Sequence, residues 1–227
     1  MIFFDLDDTL LDHRAAARFA AERFYEVFAA TLPFSRSDFL AVWARLAEKY
    51  VSAHFRGEMG WEEQQRSRIR ELFKEAEPDL SDDEADRRFA VYAEAYEQGW
   101  TLFPDVVPAL EALYGQRLGI ITNGSVRQQI RKLERLGLLQ RFSPVVISEA
   151  QGAAKPDPRI FHEACKLAGK RPQECVYVGD RLETDARASA AAGMRGVWLN
   201  RQAHPDENAA GVETIRSLMD LPALLGA

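Results

Sequence analysis

Phe3-Phe4-Asp5-Leu6-Asp7-Asp8-Thr9-Leu10-Leu11 is an apolar run that ends in a burst of carboxylates, and its reading decides the fold. Met1 to Phe4 has the composition of a short strand buried on both faces, with the acids emerging where the strand stops. A core does not tolerate them there. Ionised carboxylates packed this closely repel one another and resist desolvation, so the arrangement calls for a cation among them, most simply a hard metal ion.

Downstream, residues from Ala15 to about Gln98 show helical periodicity only. The clearest helix is expected from about Ser37 to His54, where Phe39, Trp43, Leu46, Tyr50 and Val51 recur at helical spacing. Ser81 followed by Glu84 has the form of a capping box for a helix carrying Phe89, Tyr92 and Tyr96 on one face. Breaks near Leu32-Pro33, Gly57 to Gly60 and Glu77-Pro78 divide the block into about four helices, a small bundle. After Pro104 helices and strands alternate: helix Pro104–Tyr114, strand Leu118–Thr122, helix Val126–Leu136, strand Pro144–Ser148, helix Pro158–Ala168 with Asp157 as its N-cap, and strands at Val176–Val178 and Gly196–Leu199. This alternation predicts an α/β fold with a mostly parallel sheet, wrapped on both faces through right-handed crossovers. The first strand belongs to that sheet, so the helical block is an insertion. The expected division is 1–13 and 100–227 for a Rossmann-like core and 14–99 for a helical cap above the site.

The bulk properties exclude several classes. At 227 residues, with 47% hydrophobic and 28% charged residues, the chain buries a proper core and is neither disordered nor fibrous. A net charge of -6 without a basic stripe argues against nucleic acid as a partner. No apolar run approaches a membrane span, and Asp5 interrupts any signal-peptide core, so a cytoplasmic protein is expected. Cys165 and Cys175 lack metal-type spacing and read as two reduced, buried thiols.

Ligands of open parallel sheets bind at the carboxyl ends of the strands. Those ends collect Asp5, Asp7 and Thr9, then Thr122-Asn123-Gly124-Ser125, Lys155, and Asp180 followed by Asp185. At strand spacing Asp5 and Asp7 start on one side and can look into one pocket. The stretch from Thr122 to Ser125 precedes a helix, and its hydroxyl, amide and backbone N–H groups suit a phosphate. Lys155 supplies a point charge for a phosphoryl group. Asp5 and Asp180 offer two hard oxygen ligands for Mg²⁺.

Phe-Phe-Asp5-Leu-Asp7-Asp-Thr9-Leu, Ile-Thr122-Asn-Gly, Lys155-Pro-Asp-Pro and Gly179-Asp180-Arg-Leu-Glu-Thr-Asp185 resemble the four ordered motifs of the haloacid dehalogenase-like hydrolases. The helical insertion after the first motif resembles that superfamily's C1-type cap. Within it the chain is most similar to the group of pyrimidine 5′-nucleotidases and N-acylneuraminate-9-phosphatases, through Val146-Ile147-Ser148-Glu149, Lys155 to Phe161, Leu182 to Asp185 and Trp198-Leu199-Asn200.

The resemblance implies an Mg²⁺-dependent phosphatase. Asp5 is the expected nucleophile, forming an aspartyl-phosphate. Asp7 is the expected acid and base, with acidic neighbours raising its pKa. Thr122, Asn123, Gly124 and Lys155 bind phosphate; Asp5, Asp180 and the carbonyl of Asp7 hold the metal; Asp185 orients Lys155 or metal-bound water. Asp8 is given no role. A small soluble phosphomonoester is the expected substrate, a nucleoside 5′-monophosphate first and a sugar or sugar-acid phosphate second, acted on by a monomer or homodimer. A phosphomutase using the same intermediate is an alternative, and a non-enzymatic binding protein a distant one. Dehalogenation is disfavoured by Asp7, and phosphonate cleavage would need a cap lysine, for which Lys49 is the candidate. His13 and Arg14 follow the first motif, where either could touch a leaving group, although an exposed hinge residue is the favoured reading; His54, His162 and His204 show no ligand spacing.

Overall fold

In a computed structural model, which describes residues 1–203 and 211–226, the chain divides into two compact units, Met1–Asp12 with Thr101–Ala227, and His13–Trp100. His204 lies outside the described residues. The larger unit is built on a parallel sheet of six strands among the described residues, in the order β3-β2-β1-β4-β5-β6. These are β1 (Ile2–Phe4), β2 (Leu118–Thr122), β3 (Val145–Ile147), β4 (Val176–Gly179), β5 (Arg195–Leu199) and β6 (Glu213–Ile215). β1 lies between β2 and β4, with Phe4 opposite Ile120 and Val178, and Ile2, Phe3 and Phe4 are all buried. That central place explains the unbroken apolar run, because a strand covered on both faces has no solvent side to alternate with. The order reverses beside β1, which is where a doubly wound sheet opens a crevice.

Numbered after the four helices of the smaller unit, α5 (Val106–Ala112), α6 (Val126–Arg135), α7 (Ser148–Gln151), α8 (Pro158–Leu167) and α9 (Ala188–Ala191) lie in the connections between strands, and α10 (Leu221–Leu225) follows β6. Pro158 opens α8, and the Asp157 carboxylate accepts from Arg159 N–H, so that start follows the cap logic of its sequence. Phe161 and Tyr177 meet edge to face inside one apolar cluster that also holds Cys165 and Cys175. Both thiols are buried and unbridged, and burial pushes the Cys165 thiol up to about 12.

Several boundaries differ from expectation. The strand expected over Pro144–Ser148 is shorter, because Ser148 begins α7. β6 is a three-residue edge strand with two exposed residues, too short to leave a hydrophobic pattern. The segment Leu182–Arg187 forms a wide turn in which Asp185 and Ala186 N–H both donate to the Arg181 carbonyl, at 3.0 and 3.3 Å. Such widened turns re-aim side chains and concentrate at functional sites.

The smaller unit contains α1 (His13–Phe28), α2 (Arg36–Phe55), α3 (Trp61–Phe73) and α4 (Asp82–Gln98). Its core is aromatic. The Trp43 ring lies 5.2 Å from Phe24, 6.0 Å from Phe39 and 4.8 Å from Tyr92, so Trp43 is a packing residue. Arg68, 4% exposed, stacks 4.2 Å from the Trp43 centroid and also faces Phe89 and Tyr92. Aromatic faces meet that charge where no carboxylate does among the described residues. Ser81 caps α4 through Glu84 N–H, but the reciprocal half of the expected capping box is missing. Arg87 and Arg88 take the Glu84 carboxylate instead, ion pairing winning over a bond to backbone. Lys49 is exposed and bonded to Glu71 at 2.7 Å, and that bond, then the one to Tyr50, raises its pKa. His13 Nδ1 lies 2.6 Å from the Tyr96 hydroxyl, and His54 and His162 each meet a backbone carbonyl.

Candidate active site

The first motif leaves β1 in a tight loop. Asp5 N–H donates to Val178 O, fixing the strand end, and Leu10 and Leu11 N–H both return to Leu6 O at 2.9 Å. Asp8 sits at φ 60, a left-handed conformation that Asp tolerates better than branched residues, and its N–H reaches Leu11 O at 2.7 Å. The motif's second half is braced by Arg201, which donates to Thr9 O at 2.9 Å and pairs with Asp105 at 2.8 Å.

Four elements converge on Lys155. Its ammonium lies 2.6 Å from Asp5 Oδ1, 2.7 Å from Asp185 Oδ1 and 2.7 Å from the Tyr177 hydroxyl, and lysine, tyrosine and both acids are buried. Burial alone would strip the ammonium of its proton; the charges of Asp185 and Asp5 outweigh it, so the pKa of Lys155 is raised. Asn123 holds the lysine in place, donating from Nδ2 to Lys155 O at 3.0 Å and accepting Lys155 N–H at 2.8 Å. Its side chain therefore clamps the lysine loop.

Asp185, expected to orient Lys155 or a metal-bound water, accepts from the Lys155 ammonium with Oδ1 at 2.7 Å and from Arg181 N–H with its other oxygen at 3.0 Å, so both oxygens are engaged. Gly179 makes this approach possible, because a Cβ there would lie 2.5 Å from Asp185 Cβ and Cγ. Gly179→Ala is expected to cost about 2 kcal/mol or more through overpacking and a displaced Asp185; an unchanged urea midpoint with full activity would refute this packing. Trp198 Nε1 donates to Asp180 O at 2.8 Å and fixes the next position.

Carboxylate oxygens of Asp5, Asp180 and Asp185 lie within 4.8 Å of one another. Burial first, moderated by Lys155 and worsened by Asp185, pushes the Asp5 carboxyl up to about 7; burial, then Asp5 and Asp185, push Asp180 up to about 8. Buried hard oxygen donors that resist ionisation suit a small divalent cation, whose charge would offset the burial and then the mutual repulsion that hold their pKa values up. With Asp185 already spent on Lys155 and Arg181, Asp5 and Asp180 are the donors that fit. Both folded-state values lie above the ordinary 3.8. Their contribution to stability is thus full below about pH 4 and lost as pH rises through about 7 to 8, since the folded protein binds the extra protons. Without divalent ions, the melting temperature is expected to fall between about pH 6 and 8.5, and Mg²⁺ to restore it most at the alkaline end. A flat profile, with equal shifts for wild type and Asp180→Asn, would contradict this electrostatic picture.

At the N-terminus of α6, expected to present N–H groups to phosphate, Glu149 accepts Val126 N–H at 2.8 Å and the Ser125 hydroxyl accepts Gln128 N–H at 3.3 Å. Gly124 N–H donates to the Ser148 hydroxyl at 3.0 Å. The chain thus supplies a carboxylate of its own to that helix end, and Thr122 is buried with its hydroxyl 2.7 Å from Gln129 Nε2. Acids are not the whole surroundings of Asp7. Its oxygens lie 2.7 and 2.8 Å from the Lys132 ammonium, and Oδ2 accepts from Gln129 at 3.0 Å.

A model of the haloacid dehalogenase-like hydrolases matches residues 1–193. The chain belongs to that family. It is 46% identical over 106 residues to a glyceraldehyde 3-phosphate phosphatase of Methanopyrus kandleri, 46% of each chain being covered. It is 43% identical over 131 residues to the pyrimidine 5′-nucleotidase YjjG of Escherichia coli, covering 55% of this chain and 57% of that one. The matched stretches thus span about half the length of such curated relatives. Among solved structures, the HAD-hydrolase YfnB of Bacillus subtilis, bound to magnesium, superposes with a TM-score of 0.80 at 26% identity, covering 100% of this chain and 98% of that one. The parallel sheet agrees with this haloacid dehalogenase-like fold, and among the described residues no helix is long and apolar enough to cross a membrane.

Within the family frame, Gln129, Lys132 and Tyr177 reach the site without belonging to any of the four motifs quoted above. A signal for each is nevertheless present in the sequence. Gln129 and Lys132 occupy the buried row of α6 with Leu133, positions where periodicity calls for apolar residues. Tyr177 is the polar member of a buried Val-Tyr-Val strand, and a buried phenol needs a partner.

Proposed function

We propose that this protein hydrolyses a small phosphomonoester through an aspartyl-phosphate on Asp5. The observation that carries the reading is the buried Asp5 carboxylate at a strand end, held by Lys155 and close to Asp180. An Asp5 oxygen attacks phosphorus, and the bond from phosphorus to the ester oxygen breaks with its electron pair leaving on that oxygen, which takes the Asp7 proton. Water then attacks phosphorus, Asp7 accepts its proton, and the Asp5 carboxylate departs. Thr122 binds a phosphoryl oxygen and Lys155 balances the charge that spreads over the group. Mg²⁺, held by Asp5, Asp180 and the Asp7 carbonyl, would shield that charge so that two anions can meet.

A nucleoside 5′-monophosphate is the leading substrate, supported by the similarity to YjjG; a sugar or triose phosphate comes second, supported by the glyceraldehyde 3-phosphate phosphatase. The helical unit is proposed as the seat of that choice. Phosphate release measured across nucleotides, sugar phosphates and glyceraldehyde 3-phosphate, with and without chelator, tests both levels. Chelator-sensitive release is expected, fastest from a pyrimidine nucleotide. Preference for a triose phosphate would move the substrate to the second reading, and no release from any would overturn the reaction.

A further inference from the structure

Two side chains of α6 meet Asp7 from inside the protein. Lys132, 1% exposed, places its ammonium within 2.8 Å of both Asp7 oxygens. Gln129, also 1% exposed, donates from Nε2 to Asp7 Oδ2 at 3.0 Å, to Thr122 Oγ1 at 2.7 Å and to Asn123 O at 3.2 Å. Spacing of three residues puts both on one helical face. The Ser125 cap and the Glu149 contact to Val126 N–H fix the turn that carries them. Gly124 leaves room for the glutamine: at φ +139, a Cβ there would lie 3.1 Å from Gln129 Cδ.

A purely structural role accounts poorly for these residues. Burying a lysine sacrifices rotamer freedom and ammonium hydration, and apolar residues of similar volume stabilise a core as well or better. Asp7 itself is not sunk in the core; its side chain is 27% exposed. Lys132 and Gln129 thus reach a carboxyl that is partly exposed rather than sealed in the core.

We propose that Lys132 and Gln129 are positioning residues that hold Asp7 in the rotamer its acid–base role requires, with Gln129 tying that carboxyl to the phosphate-binding Thr122. The inference rests on the function proposed above. An ungripped Asp7 would spread over several staggered rotamers, and a proton donor displaced by about 1 Å loses most of its effect.

The leaving group separates this role from simple stabilisation. An alkoxide takes a proton from Asp7 as it leaves, whereas p-nitrophenolate departs without one. With Mg²⁺ in the buffer, Lys132→Met is expected to lower kcat/KM about a hundredfold for an alkyl phosphomonoester but less than about tenfold for p-nitrophenyl phosphate. It should also release one equivalent of p-nitrophenolate in a burst before slow turnover, because Asp7 is needed again to take the proton of water. Lys132→Arg should recover most of the alkyl rate, and Gln129→Met should show the same split if Lys132→Met fails to fold. Asp7→Asn, run in parallel, keeps the two proposals apart. If Asp7→Asn shows the split and the α6 variants lower both substrates equally, the grip is refuted and the reaction stands; if Asp7→Asn shows no split, the assignment of Asp7 fails first.

Discussion

Asp5→Asn is expected to reduce phosphate release by about four orders of magnitude or more, down to what binding and the remaining charges supply. The amide keeps the size and shape of the carboxyl but is no nucleophile. It also removes one of the two donors that suit a divalent cation, so the Mg²⁺-induced rise in melting temperature should shrink with it. Asp8→Asn is the matched control: it has one carboxylate fewer in the same motif, and Asn adopts the φ 60 conformation as readily. Its activity is expected within about tenfold of wild type, since only a nearby charge is lost. Equal losses for the two variants would mean that the acidic cluster matters as a cluster and that Asp5 has no special chemistry.

Lys155→Met should give the largest loss of stability. The ammonium is the cation that stands between Asp5 and Asp185, and removing one partner of a buried ion pair costs about 3–5 kcal/mol because the other charges stay behind. Denaturant unfolding near neutral pH measures this. Asp5→Asn added to Lys155→Met should win back part of the loss, since the amide needs no counter-ion, and that coupling marks an ion pair rather than a lost packing contact. A small additive effect of both changes would show that solvent screens the pair, contrary to its burial.

Much of the fold was legible because its signals are local. Leu118–Thr122 is a strand over the span expected, and the breaks at Pro33, Gly57 to Gly60 and Pro78 do separate the helices of the smaller unit. These spans follow from apolar runs, caps and breakers. β6 and α7 were not legible, being three and four residues long and set by their neighbours in the fold. In the site, the acids and Lys155 could be read because charges at the ends of buried strands demand an explanation. What the charges touch could not be read. The contacts of Asp7 with Gln129 and Lys132 join residues 122 and 125 positions apart, and no periodicity within either segment encodes such a meeting. The same holds for Glu149, which reaches the α6 N-terminus from the next crossover.

Covalent catalysis at Asp5 is tested most directly by mixing enzyme, Mg²⁺ and substrate, quenching in acid within the first turnovers, and mapping the peptides by mass. One phosphoryl group on the N-terminal peptide is expected, lost under mild base as an acyl-phosphate is, and absent from Asp5→Asn. Phosphate release at the wild-type rate with no phosphorylated peptide at any time, or with the group on another residue, would contradict the account.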